Sequence, residues 1–162
     1  MKKIKKNFLV VIPARYQSSR LPGKPLIKLK GKEMILRTYE RCCKVVNKKD
    51  IYVATDHKKI LNFCKKKNIN VVATSKKCLT GTDRIAEFSK KIKANFYINV
   101  QGDEPLLQLN DLRKLIKSAK KYPERIINGY SKIVNKQHFY SRSIPKVAFR
   151  KDGRLLYQSR AP

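Results

Sequence analysis

The sequence predicts an α/β fold with three layers, in which helices cover both faces of a mostly parallel sheet. Apolar runs typical of strands alternate with segments of helical periodicity along the chain, which is the pattern of a parallel sheet with helical crossovers. The first run, residues 8–12, is apolar at every position, as expected for a strand that is covered on both faces. The chain has 162 residues and is 41% apolar, so we expect one domain over 1–162 with one hydrophobic core.

The remaining elements follow from periodicity and turn residues. Short apolar runs predict further strands at 51–54, 70–73 and 95–100. Apolar residues at helical spacing predict helices at 33–47, 60–64, 85–92 and 112–119. A strand with mixed faces is expected at 126–134, and Asp152-Gly153 predicts the turn of a hairpin between 147–149 and 155–158.

The chain is strongly basic, with 40 Lys and Arg against 11 Asp and Glu and a formal net charge of +29. Nucleic-acid binding is one explanation of such a charge. The lysines are scattered over nearly every predicted helix and loop, however, and no helix-turn-helix or zinc-finger spacing occurs. We therefore expect no dedicated nucleic-acid site, although the surface would attract anions such as a nucleoside triphosphate in a salt-dependent way.

Composition also indicates a cytoplasmic protein without a membrane partner. No apolar run approaches the roughly 20 residues of a membrane span. The apolar stretch 8–12 is too short for a signal peptide and runs into Pro13 and Arg15, which favours a buried strand. The four cysteines form no CxxC pair, so we expect reduced and mostly buried thiols rather than a zinc site; they are Cys42, Cys43, Cys64 and Cys78.

Polar segments follow the predicted strands, and ligands bind beyond the carboxyl ends of parallel strands. The first segment, residues 13–26, carries Arg15, Arg20 and Lys24, whose charges suit phosphate oxygens. It is neither a Walker A loop nor GxGxxG. A basic surface loop with turn prolines explains its composition equally well.

Two later segments extend the same pattern. Thr80-Gly81-Thr82 contains a glycine that lets backbone approach a ligand, although a helix cap is the ordinary interpretation of threonine at this position. Asp103 and Glu104 are adjacent acids after a strand, and carboxylates there suit a Mg²⁺ ion that bridges phosphates. A capped turn is the alternative, but two adjacent acids in a chain with so few favour the metal. Thr55-Asp56-His57 also follows a strand; a turn and helix cap is its default interpretation, and a binding role stays open.

Taken together, these segments resemble the 3-deoxy-manno-octulosonate (Kdo) cytidylyltransferase family. The resemblance covers residues 8–162 and rests on VIPARYQSSRLPGKPL, YVATDHKKI, TGTDRIAE, NVQGDEPLL and LLYQSRAP, in the family's order. It implies the Rossmann-like fold of the nucleotide-diphospho-sugar transferases. It also implies that CTP and Kdo react to CMP-Kdo and diphosphate for lipopolysaccharide or surface polysaccharide synthesis, and that the full-length protein is a homodimer.

The resemblance implies a role for each matching residue. The nucleotide-binding positions would be Ala14, Arg15, Arg20, Lys24, Thr80, Gly81 and Thr82. Asp103 would bind Mg²⁺ and, with Arg15 and Lys24, form the catalytic group. Gln101 and Arg160 would lie near the sugar acid.

The sequence also departs from the family pattern. Family members continue well beyond Ser159-Arg160-Ala161-Pro162, so we expect an N-terminal portion whose fold is incomplete on its C-terminal side. The sequence at residues 128–132 and 137–145 is unusual for the family. The acceptor could therefore be another sugar acid, such as an acylneuraminate or an 8-amino Kdo analogue. A catalytically inactive truncated fragment and a basic nucleic-acid-binding domain are the remaining alternatives.

Overall fold

The computed structural model describes residues 6–17 and 21–162, and the chain divides into two compact units, Met1–Ile127 and Asn128–Pro162. The expectation of a single domain over 1–162 stays a prediction. In chain order, the strands of the first unit are β1 (Lys6–Ala14), β2 (Lys28–Leu29), β3 (Lys32–Glu33), β4 (Ile51–Thr55), β5 (Val71–Ala73) and β6 (Ala94–Asn99). Its helices are α1 (Met34–Cys43), α2 (Lys58–Lys66), α3 (Gly81–Lys91) and α4 (Leu109–Lys121).

The central sheet of the first unit has the strand order β5-β4-β1-β6. All its pairings are parallel; Val10 of β1 lies opposite Ile51 of β4, and Val11 lies opposite Asn99 of β6. The chain first proceeds from β1 to β4 and β5 on one side and then crosses to place β6 on the other side of β1. The strand order therefore reverses between β1 and β6, and in such sheets the crevice beyond the carboxyl ends at this point is the usual ligand site.

The two faces of β1 pack against different helices. Leu9 and Val11 are fully buried in a cluster with Ile85 and Phe88 of α3. The alternate residues of β1 belong to a larger cluster on the other face, to which α1, α2 and α4 contribute Ile35, Cys42, Ile60, Cys64 and Leu112. A strand alternates its side chains between two faces, so the fully apolar run needs helices on both. The predicted three-layer α/β fold is confirmed.

Helix α1 is shorter than the predicted helix at 33–47. It ends at Cys43, and the backbone N–H groups of Val45 and Val46 both donate to the carbonyl of Cys42 in a turn that follows. Val46 is nevertheless only 6% exposed and belongs to the core. The apolar residues therefore continue for one turn beyond the end of α1. Their spacing reflects which side chains are buried, and a buried side chain need not belong to a helix.

The predicted strand at 126–134 is wrong. The structure assigns no strand to these residues, and Ile126 and Val134 are 93% and 85% exposed. Alternating apolar residues form a strand only where a neighbouring strand takes up their backbone hydrogen bonds and a core covers one face. The described part of the chain supplies neither for this segment.

The second unit consists of a short helix, α5 (Lys136–Tyr140), and an antiparallel hairpin of β7 (Lys146–Phe149) and β8 (Leu155–Ser159). Gly153 has a φ of 85°, and its N–H donates to the Arg150 carbonyl over 2.9 Å, so the predicted Asp-Gly hairpin is confirmed. Helix α5 was not predicted, because five residues are too few to show a period; the Asn135 side chain caps it by accepting the Gln137 N–H over 2.8 Å. Within the described ranges, every helix is too short or too polar to cross a membrane.

Candidate functional site

A cavity of about 350 Å³ opens at the carboxyl ends of β1 and β6. The three predicted catalytic residues, Arg15, Lys24 and Asp103, all line it. The rest of the wall comes from the same three polar segments and consists of Pro13, Ala14, Pro25, Leu79, Thr80, Gly81, Arg84, Gln101 and Gly102. The structure therefore brings together segments that lie up to about 90 residues apart in sequence, at the point where the strand order reverses.

After β1 the backbone forms a narrow neck, where Tyr16 and Gly23 come together. Gly23 has a φ of 72°, a conformation that glycine adopts without strain, and its N–H donates to the Tyr16 carbonyl over 2.8 Å. Pro25 is buried in the single helical turn that follows, Lys24–Leu26. The Lys24 ammonium donates a hydrogen bond to Asp103 Oδ2 and forms an ion pair with that carboxylate. The loop after β1 is thereby joined to the loop after β6.

Helix α1 holds the loop that carries Asp103. The buried Thr38 hydroxyl lies 3.3 Å from the Gly102 carbonyl oxygen, and Arg41 Nε donates to the Leu107 carbonyl over 2.8 Å. A Cβ at Gly102 would lie 3.0 Å from the Pro13 carbonyl oxygen, which is tighter than nearly all real Cβ contacts. A side chain at position 102 would therefore make this loop or the end of β1 shift.

The N-terminus of α3 forms the third wall. Thr80 is the N-cap of a capping box: the Asp83 N–H donates to Thr80 Oγ1 over 3.1 Å, and the Thr80 N–H donates to Asp83 Oδ2 over 2.8 Å. The Thr80 hydroxyl and backbone hydrogen bonds also lower the pKa of Asp83. A Cβ at Gly81 would lie 3.1 Å from Pro13 Cγ, so this glycine lets the helix start pack against β1. The helix-cap interpretation of Thr80 is confirmed, and Thr82 is exposed and does not line the cavity.

Sequence reasoning missed Arg84, which lines the cavity and is only 2% exposed. Its guanidinium donates to Thr74 Oγ1 and, over 3.2 Å, to Asp56 Oδ2, so it links α3 to the ends of β4 and β5. Asp56 Oδ1 is buried and has no hydrogen-bond partner within the described residues. The signal was present in TGTDRIAE, where helical spacing places an arginine beside Ile85 on the buried face.

The segment Thr55-Asp56-His57 is now explained in part. His57 is the N-cap of α2, and its Nδ1 accepts the Lys59 N–H over 3.2 Å, which confirms the predicted cap. Asp56 pairs with Arg84 rather than with a cation at the surface. Asp56 therefore contacts a residue of the cavity wall, Arg84, without lining the cavity itself.

The cavity is electropositive. Arg15, Lys24 and Arg84 supply three cations, and Asp103 is the single carboxylate among the described residues that line it. No group of three or more His, Cys, Asp or Glu in the described ranges could hold a metal alone. One carboxylate fits Mg²⁺ when phosphate oxygens and water complete its shell. The donor set therefore fits a metal that arrives with a polyphosphate.

Burial disfavours the thiolate form of Cys42 and Cys64. All four cysteines are free, and burial raises the pKa of Cys42 and of Cys64 to about 12. A nucleophilic cysteine requires a thiolate at working pH. The buried thiols act as small apolar side chains, as the sequence predicted.

The remaining predicted site residues are Gln101, Arg160 and Arg20, and they lie in different parts of the chain. Gln101 lines the cavity, and its amide donates to Asn99 Oδ1 over 3.0 Å. Arg160 belongs to the second unit, where its guanidinium donates to the carbonyls of Arg142 and Ser143 over 3.3 Å and 3.2 Å. Arg20 lies outside the described residues. The ligand roles of all the predicted site residues, including those that line the cavity, stay predictions.

The chain is similar to several known proteins over most of its length. A relative from Thermodesulfovibrio yellowstonii, a 3-deoxy-manno-octulosonate cytidylyltransferase, is 38% identical over 95% of this chain and 64% of its own length. A protein of the same name from Escherichia coli is 35% identical over 95% of this chain and 63% of its own length. A solved structure of a CMP:2-keto-3-deoxy-manno-octonic acid synthetase complexed with CTP superposes with a TM-score of 0.85 and 33% identity, covering 96% of this chain and 65% of that one.

The chain thus spans a little under two thirds of the length of the relatives it matches. The model of the cytidylyltransferase family matches residues 9–162, which include β1 from Leu9 onward and all three polar segments at the cavity. On this match, the chain belongs to the cytidylyltransferase family.

Proposed function

We propose that this chain binds CTP with Mg²⁺ and transfers the CMP group to the 2-keto sugar acid Kdo, with release of diphosphate. The observation that carries the proposal is the shared cavity of Arg15, Lys24 and Asp103 where the strand order reverses. The names of the relatives support the choice of CTP and of Kdo. CTP is a cytoplasmic metabolite, so the proposal places the reaction in the cytoplasm, as an early step toward lipopolysaccharide.

The triphosphate would be held by cations and by backbone. Arg15 and Lys24 are positioned on either side of the loop neck, and both line the cavity. Gly81 lines it at the first residue of α3, where a helix leaves amide N–H groups without intrahelical partners and attracts anions. These groups together would neutralise the triphosphate and the departing diphosphate.

Asp103 would hold the Mg²⁺ ion. Its carboxylate is paired with Lys24, whose ammonium can move to a phosphate oxygen when the nucleotide and metal enter. The bound metal would withdraw charge from the phosphate oxygens. The protein's own contribution is to fix this carboxylate, through Gly102 and Thr38, next to the basic loop.

The chemistry requires positioning more than covalent participation by the protein. The anomeric hydroxyl of the sugar acid would attack the α-phosphorus in line, forming an O–P bond while the α–β phosphoanhydride bond breaks and the hydroxyl proton is released. Gln101, which is exposed on the cavity wall, is the proposed contact to the sugar acid. Arg160 is proposed to pair with the substrate carboxylate, for which a guanidinium fork is suited.

Calorimetric titration with CTP, with and without Mg²⁺, tests the binding half of the proposal. We expect Mg²⁺-dependent binding, and a loss of about tenfold or more for Asp103→Asn and for Lys24→Met, because each removes a charged partner. Glu104→Gln and Lys28→Met are matched controls, since both residues are exposed and lie outside the cavity wall. A folded sample that binds no CTP would overturn the proposal.

Diphosphate release with a panel of acceptors tests the transfer half. We expect turnover with Kdo to exceed turnover with N-acetylneuraminate and with the 8-amino Kdo analogue. A higher rate with either of the other acids would reassign the acceptor while leaving the cytidylyltransferase chemistry intact. CTP binding without turnover of any acid would show that this chain alone is the inactive portion considered from sequence.

A further inference from the structure

The Tyr16 side chain contacts two other segments of the first unit. Its ring stacks on the His57 ring with centroids 3.8 Å apart and an interplanar angle of 12°. The ring also lies close to Gly23, where an added Cβ would be 3.3 Å from the Tyr16 ring atoms. The Lys59 ammonium donates to the Tyr16 hydroxyl over 3.3 Å and lies 5.3 Å from the ring centroid.

His57 is itself fixed in place. It caps α2 by accepting the Lys59 N–H, and its own N–H donates to Thr55 Oγ1 over 3.4 Å. Thr55 is fully buried at the end of β4. His57 and Thr55 therefore connect the Tyr16 ring to the central sheet, and neither of these two residues lines the cavity.

The neck formed by Tyr16 and Gly23 lies between Arg15 and Lys24, two of the three predicted phosphate-binding cations of this segment. Arg15 immediately precedes Tyr16 and Lys24 immediately follows Gly23, and the Gly23 N–H to Tyr16 carbonyl bond of 2.8 Å closes the neck. Anything that loosens this bond changes the relative position of the two cations. Preorganised charges bind more tightly than charges that must first be ordered.

We propose that Tyr16, stacked on His57 and hydrogen-bonded through its carbonyl to the Gly23 N–H, is a positioning residue that sets the spacing of Arg15 and Lys24 for a nucleoside triphosphate. The proposal rests on the proposed function for the identity of the ligand. Tyr16 does not line the cavity, so it acts through its neighbours and does not contact the phosphates. The structure also explains the glycine, because any side chain at position 23 would meet the Tyr16 ring and would adopt a φ of 72°.

Two variants loosen the neck by independent routes. Tyr16→Leu keeps an apolar side chain against the core but removes the ring. His57→Asn replaces the Nδ1 acceptor with an amide oxygen that can still cap α2, but it removes the stacking partner. For each we expect CTP affinity in the presence of Mg²⁺ to fall about threefold to tenfold, in line with the value of a stacked pair. Tyr16→Phe restores the ring and should recover most of the affinity.

Hydrogen exchange of the Gly23 amide, measured by NMR without nucleotide, is a second readout. It should accelerate in Tyr16→Leu and His57→Asn by a factor similar to the loss of affinity, and Tyr16→Phe should recover most of the protection. Tyr122→Leu is the matched control, because Tyr122 contacts only the surface cations Lys121 and Arg125 among the ring contacts described for it. A merely structural role for Tyr16 would lower the melting temperature without selective exchange at Gly23.

The two proposals fail in different ways. If the wild-type chain binds no CTP, the proposed function is wrong, while Gly23 exchange still reports on the neck. If the wild type binds CTP and both neck variants bind it equally well, the positioning role of Tyr16 is wrong, whether or not Gly23 exchange changes. If Tyr16→Leu does not fold, His57→Asn decides by the same two measurements.

Discussion

The buried ion pair between Arg84 and Asp56 should dominate the stability of the cavity wall. The two side chains are only 3% and 14% exposed, and the guanidinium also donates to Thr74. The perturbation is Asp56→Asn, which keeps the shape of the side chain and removes its charge. It leaves the Arg84 cation buried without a counter-ion.

The expected magnitude follows from the burial. Removing one partner of a buried pair costs about 3–5 kcal/mol, because the remaining charge stays desolvated. Asp56 retains some exposure, so we take the lower end, about 3 kcal/mol. This is a large part of the roughly 5–15 kcal/mol that stabilises a domain. The melting temperature should fall by roughly 12 °C at about 4 °C per kcal/mol.

Urea denaturation at pH 7, followed by circular dichroism, measures the effect. The double variant Asp56→Asn with Arg84→Met removes both charges, and the pair should show a coupling energy of at least about 2 kcal/mol. Glu124→Gln is the matched control, since the Glu124–Arg125 pair is 64% and 68% exposed and should contribute less than about 1 kcal/mol. A loss below about 1 kcal/mol for Asp56→Asn, or additive single variants, would refute the reasoning.

Two further predictions concern α3. Gly81→Ala should weaken CTP binding about tenfold in calorimetry, because the added Cβ would lie 3.1 Å from Pro13 Cγ and push the start of α3 away from β1. Gly129→Ala is the control and should leave CTP binding unchanged, because its added Cβ would have no neighbour within 4 Å. Hydrogen bonds from the Ser75 N–H and then from Lys91 lower the pKa of Glu87 from 4.5 to about 2. Its stabilisation is therefore present above pH 4.5 and lost as the pH falls toward 2. Over that interval Glu87→Gln should lose less stability than the wild type in a urea series, and parallel losses would contradict the assignment.

The sheet could be predicted because its signals are local. Residues 8–12 are apolar throughout since both faces of β1 are covered, and the short length of the run, with Pro13 directly after it, favours a strand over a helix. Once the strands were known to be parallel, Arg15 and Asp103 had to lie at the same end of the sheet. Both do line the cavity.

The contacts that hold the site depend on long-range packing and could not be predicted in the same way. Asp56 and Arg84 meet across 28 positions, and the sequence shows only a turn acid and a helical cation. The stack of Tyr16 on His57 likewise could not be predicted locally. The two residues meet because β1 and β4, which precede them, are neighbours in the sheet. The strand prediction for residues 126–134 was wrong for the opposite reason. Their apolar residues alternate as in a strand, but no strand in the described chain pairs with them.

The position of β6 has a consequence for handling the protein. Among the described strands β6 pairs only with β1, so it is an edge strand, and edge strands can pair with a second chain. A formal charge of +29 repels neighbouring copies in dilute buffer. Salt shortens the reach of that repulsion to about 8 Å at physiological ionic strength. The same ions compete with a triphosphate for the basic loop, so solubility and nucleotide affinity should decline together as salt is added.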